Sequence, residues 1–177
     1  MTPRHIVLVG MMGAGKTTVG SRLARRLDRP FVDSDVQVER RSSRTVRQIF
    51  ETEGEAAFRA LESEALAEAL ASEEPSVIAA AGGTVLDPVN RQRMKQGGTV
   101  VFLEAPPDAL APRVGGDDHR PLLGDDPAAA LQKMHEARRQ LYEDVADHIV
   151  DVARHAPDAI VDQILDLVGA TATGDSR

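Results

Sequence analysis

The chain has 177 residues, of which 42% are hydrophobic and 28% charged, as in a single globular domain with a full hydrophobic core. Its formal net charge of −7 argues against binding to nucleic acid, which requires a basic surface, and the absence of cysteine excludes disulfides and thiol chemistry. Residues 1–4 lack the apolar core of a signal peptide, and no apolar run is long enough to span a membrane, so we expect a cytoplasmic protein.

Strand and helix patterns alternate along the chain, which predicts a parallel sheet covered on both faces. The predicted strands are residues 5–9, 30–33, 76–80, 99–103 and 148–152. The predicted helices are residues 16–27, 35–41, 46–53, 54–71, 87–95, 107–113, 128–146 and 157–168. Gly97 and Gly98 predict a helix end just before the fourth strand. We expect one domain over residues 1–169 and a disordered polar tail over 170–177.

A phosphate-binding motif follows the first predicted strand. The segment Gly10-Met11-Met12-Gly13-Ala14-Gly15-Lys16-Thr17 fits the P-loop pattern Gly-x-x-x-x-Gly-Lys-Ser/Thr, and a helix is predicted to begin inside it. In such a loop, backbone N–H groups and the helix N-terminus bind phosphate oxygens of ATP. Lys16 would reach the β- and γ-phosphates, and the Thr17 hydroxyl would bind Mg²⁺. The alternative is a flexible glycine turn before a helix. The nucleotide-binding residues predicted here are Gly13, Ala14, Gly15, Lys16, Thr17 and Thr18.

Two carboxylates, Asp33 and Asp35, follow the second predicted strand. Ligands of open α/β sheets bind beyond the carboxyl ends of the strands, where the P-loop also lies. Asp33 can hold Mg²⁺ through water, and Asp35 can orient a substrate hydroxyl for in-line attack on the γ-phosphate. Alternatively, Ser34 or Asp35 simply caps the next helix.

Arginines and glycines supply further candidate ligand-binding residues. Arg59 can bind a substrate carboxylate, although an ion pair with Glu62 or Glu55 on the same helix is an alternative. Gly82 and Gly83 end the third strand and permit close approach to a ligand, or form a plain turn. The pair formed by Arg138 and Arg139 is either a solvated helix face or a source of one pocket arginine.

Two loops complete the candidate site. Residues 114–127 are rich in Gly, Asp and Pro, and form either a surface loop or a lid that brings Arg120 to the phosphates. The P-loop upstream favours the lid, which we place at about 113–127. Residues 154–157 follow the last strand and either contact the adenine ring or begin the last helix, with Pro157 in its first turn.

Six motifs, in this order, resemble shikimate kinase over residues 4–168. They are Gly10–Thr17, Asp33-Ser34-Asp35, Phe58-Arg59-Ala60-Leu61-Glu62, Ala81-Gly82-Gly83, Arg120-Pro121-Leu122 and Arg138-Arg139-Gln140-Leu141-Tyr142. The resemblance implies the fold of nucleoside monophosphate kinases, with a five-stranded parallel sheet, a substrate-binding helical segment at about 34–62 and a mobile lid. It also implies phosphorylation of the 3-hydroxyl of shikimate by ATP with Mg²⁺, in aromatic amino-acid biosynthesis.

The resemblance also implies a role for individual positions. Asp35 would contact the 3-hydroxyl as the catalytic orienter and base, and Glu62 would hold Arg59. Lys16 and Arg120 would stabilise charge on the phosphates. The substrate-binding residues would be Asp35, Arg59, Gly82, Gly83 and Arg138, and the residues near adenine would be Arg113, Arg154 and His155. Thr17 and Asp33 would bind the metal.

One position departs from the family pattern, because Ala81 replaces the first strand-end glycine. A P-loop kinase for a related cyclitol acid, or for another small polyol such as gluconate, is therefore an alternative. A non-catalytic nucleotide-binding module is an alternative from another class, but it has no need for Asp35, Arg59 and Arg138 together. We expect a monomer, with small molecules as its only partners.

Overall fold

The computed structural model describes residues 4–114 and 123–169. The centre of the predicted lid, with Arg120, and the tail at residues 170–177 lie outside the described residues.

Strands and helices alternate as the sequence predicts, and most ends lie within one or two residues of the predicted positions. The strands are β1 (His5–Val9), β2 (Phe31–Asp33), β3 (Val77–Ala79), β4 (Gly98–Glu104) and β5 (His148–Asp151). The helices are α1 (Lys16–Leu27), α2 (Ser34–Ser42), α3 (Val46–Ala71), α4 (Pro88–Gly97), α5 (Pro107–Val114), α6 (Pro127–Val145) and α7 (Pro157–Leu167). A 3₁₀ turn, Thr84–Leu86, follows β3.

The five strands form one parallel sheet in the order β2-β3-β1-β4-β5. The central strand, β1, is buried along its whole length, as expected for a parallel sheet covered on both faces. Helices α1 and α7 pack against each other, while α4 and α6 pack against β4. The prediction of a five-stranded parallel sheet is confirmed. Since all strands point the same way, their carboxyl ends share one edge, and the segments after β1, β2 and β3 meet there.

Helix α3 spans two predicted helices, which are separated by one non-helical residue. Gly54 has φ 85° and ψ 178°, so the helix direction changes there, as a residue with a side chain would rarely permit. A capping box formed by Thr45 and Gln48 starts the first part.

A small second core joins α2 to α3. It consists of Val38, Ile49, Phe58 and Ala65, all buried, and the rings of Phe50 and Phe58 lie 4.8 Å apart. This cluster fixes the two helices that carry Asp35 and Arg59. Within residues 4–114 and 123–169, no helix combines the length and apolar character that crossing a bilayer requires.

Candidate active site

The P-loop lies between the end of β1 and the start of α1. Gly13 and Gly15 have φ values of 81° and 92°, which residues with side chains rarely adopt, and they let the chain turn tightly into the helix. The Lys16 ammonium donates hydrogen bonds to the carbonyls of Gly10 at 2.7 Å and Met11 at 3.0 Å. Lys16 therefore lies across the loop, in the cavity that the loop borders.

Asp33 joins the P-loop to the segment after β2. The Thr17 hydroxyl donates to Asp33 Oδ2 at 2.7 Å, while Asp33 Oδ1 accepts from the backbone N–H of Asp35 at 3.1 Å. The alternative that Ser34 or Asp35 caps this helix is wrong, because Asp33 is the N-cap residue. Capping by Asp33 leaves the Asp35 carboxyl available for another role.

Asp35 lines the cavity, where solvent still reaches it. The surrounding protein removes much of its water, and this desolvation, together with the nearby Asp33 carboxylate, raises the pKa of Asp35. Lys16 and Arg59 oppose the increase because a positive charge favours the carboxylate. A carboxyl with a raised pKa is a better proton acceptor near neutral pH than an ordinary aspartate.

Arg59 forms both of the predicted ion pairs and also lines the cavity. It contacts the buried carboxylate of Glu62 at 2.7 Å and the exposed carboxylate of Glu55 at 3.2 Å. Burial opposes the charge of the guanidinium, but these two carboxylates outweigh it and raise the pKa of Arg59. Burial also raises the pKa of Glu62 to about 7, against the attraction of Arg59. The ion pairs with Glu62 and Glu55 therefore hold the Arg59 guanidinium in a fixed place at the cavity wall.

Gly83 permits the close approach of Arg59. A Cβ atom at position 83 would lie 1.7 Å from Arg59 Nη1, so only glycine leaves room for the guanidinium. A Cβ atom at Gly82 would make ordinary contacts, the nearest at 3.4 Å.

Arg138 and Arg139, adjacent on α6, lie in different environments. Arg138 is buried and lines the cavity, whereas Arg139 is exposed and pairs with Glu104 at 3.2 Å and Glu143 at 2.8 Å. Arg138 is thus the pocket arginine, and Arg139 belongs to the solvated helix face.

Ala81, the departure from the family pattern, is buried and does not contribute to the cavity wall. Its N–H donates to Ser34 Oγ at 2.8 Å, and its carbonyl accepts from Thr84 Oγ1 at 2.7 Å. Its φ is not positive, so an L-residue fits without strain. The methyl group therefore does not line the cavity.

These parts surround one open cavity of about 730 Å³. The cavity wall includes most of the residues that the sequence predicts to bind nucleotide, metal or substrate. They are Gly13, Ala14, Gly15, Lys16, Thr17, Thr18, Asp33, Asp35, Arg59, Gly82, Gly83, Arg113, Arg138 and His155. Among the described residues, this lining carries four cationic side chains, Lys16, Arg59, Arg113 and Arg138, and four acidic ones, Asp33, Asp35, Glu39 and Glu62. The lysine and the arginines can each contact an anionic group of a ligand.

Arg154 is exposed and is not part of the cavity wall. Arg120 lies outside the described residues. Arg113 donates to the carbonyls of Gly13 at 3.3 Å and Val152 at 3.1 Å, so it links the P-loop to the loop after β5.

An apolar wall of the cavity was not predicted from the sequence. It is formed by side chains from α2 and α3, namely Val36, Val46, Phe50 and Phe58. Only the spacing of four residues between Val46 and Phe50, which puts both on one helix face, could have indicated it.

The fold and the site together define a P-loop kinase of the nucleoside monophosphate kinase type. The phosphate loop, the two carboxylates after β2 and the arginines of α3 and α6 all line one cavity at the carboxyl edge of the sheet.

Comparison with known proteins narrows this class to one family. The family model for shikimate kinase matches residues 12–168. Shikimate kinase from Burkholderia pseudomallei is 45% identical over 162 residues, covering 91% of this chain and 88% of that protein.

Solved structures agree with this result. A shikimate kinase from Acinetobacter baumannii in complex with shikimate superposes with a TM-score of 0.92 and 38% identity, covering 97% of this chain and 96% of that one. The enzyme from Aquifex aeolicus gives a TM-score of 0.82 and 37% identity, with coverage of 97% and 99%. The chain belongs to the shikimate kinase family.

Proposed function

We propose that the protein transfers the γ-phosphate of ATP to the 3-hydroxyl of shikimate, giving shikimate 3-phosphate and ADP. The observation that supports this most strongly is the presence of a phosphate loop, a carboxylate with a raised pKa and two arginines in one cavity. Phosphoryl transfer depends mainly on positioning and on neutralising charge, and these groups supply both. A non-catalytic nucleotide-binding module would not need Asp35 and the two arginines in the same space.

The nucleotide would bind along the P-loop, with its phosphates on the backbone N–H groups of residues 13–18. Lys16 would exchange its hydrogen bonds with Gly10 and Met11 for phosphate oxygens. The adenine would lie between Arg113 and the segment with His155 and Pro157. Arg120, outside the described residues, remains a proposed lid arginine, and Arg154 a proposed contact at the edge of the adenine site.

Thr17 and Asp33 would hold Mg²⁺. Their side-chain oxygens lie 2.7 Å apart, beside the loop that would carry the phosphates. Among the described residues, no group of three or more His, Cys, Asp or Glu side chains could form a metal cage. One carboxylate and one hydroxyl nevertheless fit Mg²⁺, which keeps much of its water and takes further ligands from ATP. When bound, the ion neutralises charge on the β- and γ-phosphates.

Shikimate would bind between α2, α3 and the end of β3. Its carboxylate would contact Arg59 and Arg138, since guanidinium groups bind carboxylates through paired hydrogen bonds. Its ring would lie against Phe58 and the backbone of Gly82 and Gly83. Asp35 would accept a hydrogen bond from the 3-hydroxyl, orient the oxygen for in-line attack and receive its proton. We further propose that the enzyme is a cytoplasmic monomer.

A coupled assay of ADP release tests the proposal. Purified protein with ATP and Mg²⁺ is offered shikimate, quinate, gluconate and a cyclitol without a carboxylate. Turnover on shikimate is expected to exceed turnover on the cyclitol at least about 100-fold, since two charge-assisted contacts would be lost without the carboxylate. It should also exceed turnover on quinate and gluconate, which keep the carboxylate but carry their hydroxyls on a saturated ring or an open chain. Preference for another acceptor would retain the P-loop kinase class and overturn the substrate.

A further inference from the structure

Tyr142 is the one tyrosine of the chain and is 1% exposed. Its ring stacks on Phe102 of β4, with ring centroids 5.0 Å apart and an interplanar angle of 24°. The ring therefore has a fixed place in the main core, directly beneath the carboxyl edge of the sheet.

The hydroxyl of Tyr142 connects two parts of the substrate site. It donates a hydrogen bond to the Gly82 carbonyl at 2.6 Å. The guanidinium of Arg138, one helical turn earlier on α6, lies beside it: a Cβ atom at Gly82 would be 3.5 Å from the Tyr142 hydroxyl and 3.6 Å from Arg138 Nη1. A hydroxyl can donate one hydrogen bond and accept others, so both contacts can form at once.

Each of these contacts fixes a group that lines the cavity. Because a peptide unit is planar, holding the Gly82 carbonyl also fixes the direction of the Gly83 N–H. A long arginine side chain has many rotamers, and the contact of Arg138 with the Tyr142 hydroxyl limits them.

We propose that Tyr142 is a positioning residue for the acceptor substrate: its buried hydroxyl holds the Gly82 peptide and the Arg138 guanidinium in the arrangement that binds shikimate. This inference rests on the proposed function. Tyr142 does not contact the substrate itself. Burial, against the attraction of Arg138, raises the pKa of Tyr142 to about 12, so the hydroxyl keeps its proton throughout the working pH range.

The segment from Ala81 to Gly83 is also hydrogen-bonded on its other side, to a residue of α2. Ser34 is fully buried, and its hydroxyl accepts from the Ala81 N–H at 2.8 Å. The segment from Ala81 to Gly83 is thus held by Ser34 from α2 and by Tyr142 from α6. Loss of one hydroxyl should shift the segment rather than unfold it.

The test compares Tyr142→Phe with the unchanged enzyme in the assay of ADP release. Tyr142→Phe keeps the ring and its packing on Phe102 and removes only the hydroxyl. We expect the KM for shikimate to rise about 10-fold, as for loss of one hydrogen bond to a charged group, while the KM for ATP stays within about 2-fold. Ser34→Ala frees the segment from its other side and should raise the KM for shikimate in the same way.

Ser76→Ala is the matched control. Ser76 is also buried, and its hydroxyl is hydrogen-bonded to His5 Nδ1 at 2.9 Å, just before β3 and far from the cavity. Its loss should lower the melting temperature without changing either KM. KM does not depend on the amount of folded enzyme, so the comparison remains valid for a less stable variant.

The outcomes separate this inference from the proposed function. A wild-type enzyme that does not phosphorylate shikimate would overturn both. A wild type that does so, with an unchanged KM for shikimate in Tyr142→Phe, would overturn only the role of Tyr142. Equal increases in both KM values would also overturn it, because they would indicate general loosening of the site.

Discussion

Gly83→Ala is expected to weaken shikimate binding by displacing a neighbouring side chain. The backbone at position 83 has φ −84° and ψ −9°, so alanine fits without backbone strain. The new Cβ atom, however, would lie 1.7 Å from Arg59 Nη1 and 2.3 Å from Arg59 Cζ. The guanidinium is the far end of a flexible side chain, so it moves while the fold remains intact.

The size of the effect follows from the contacts that Arg59 must give up. Reaching an ordinary separation of about 3.5 Å requires a shift of roughly 2 Å, which the 2.7 Å contact with Glu62 cannot survive. Arg59 would then be out of place for the substrate carboxylate. A charge-assisted hydrogen bond contributes about 1.5–3 kcal/mol, which corresponds to a rise of about 10- to 150-fold in the KM for shikimate.

The assay is steady-state kinetics of Gly83→Ala, Arg59→Ala and the double variant, with the melting temperature as a check on folding. Because the methyl group acts only through Arg59, the double variant should be no worse than Arg59→Ala alone. Gly97→Ala is the control, since the three atoms nearest to its methyl group would all belong to the Leu70 side chain, at 3.0 Å or more. Fully additive effects, or a normal KM in Gly83→Ala, would refute the reasoning.

Three other substitutions test separate parts of the site. Lys16→Ala should reduce kcat at least about 100-fold with folding retained, because a charge that stabilises the transition state is lost; near-normal turnover would remove Lys16 from the mechanism. Glu62→Gln should reduce the pH dependence of the free energy of unfolding. Burial raises the pKa of Glu62 from 4.5 to about 7, so the protonated carboxyl stabilises the fold below pH 4.5. This stabilisation, at most about 3 kcal/mol, is lost as the pH rises through about 7. Urea unfolding at pH 5 and 7.5 measures this, and equal pH dependence in both proteins would contradict it. Ala81→Gly should cost about 1 kcal/mol of stability and leave the preference for shikimate unchanged, whereas altered acceptor preference in the substrate panel would show that the methyl group reaches the pocket.

The candidate site was largely predictable because its chemistry is carried by short motifs at the ends of strands. Gly10–Thr17 needs only a preceding strand and a following helix, and both are local features of the sequence. Asp33 and Asp35 followed from the rule that parallel strands present their carboxyl ends at one edge. The residues that hold these groups in place were harder to predict, since Ser34 and Tyr142 contact a segment that is distant from them in sequence.

Single residues with two possible roles could not be resolved without the fold. Arg138 and Arg139 are adjacent and chemically alike, and only the way α6 packs on the sheet buries one and exposes the other. Asp33, which the sequence predicts as a metal ligand, also caps α2. The sequence Asp-Ser-Asp alone does not show whether Asp33 or Ser34 is the capping residue.

The sequence by itself determined the class of chemistry, the family and the parallel sheet, because periodicity and short motifs are properties of neighbouring residues. The tertiary structure decided the strand order, the pairing of Gly83 with Arg59 and the placement of Ala81 outside the cavity wall. These depend on contacts between residues that lie far apart along the chain, and their distances are set only when the helices pack on the sheet.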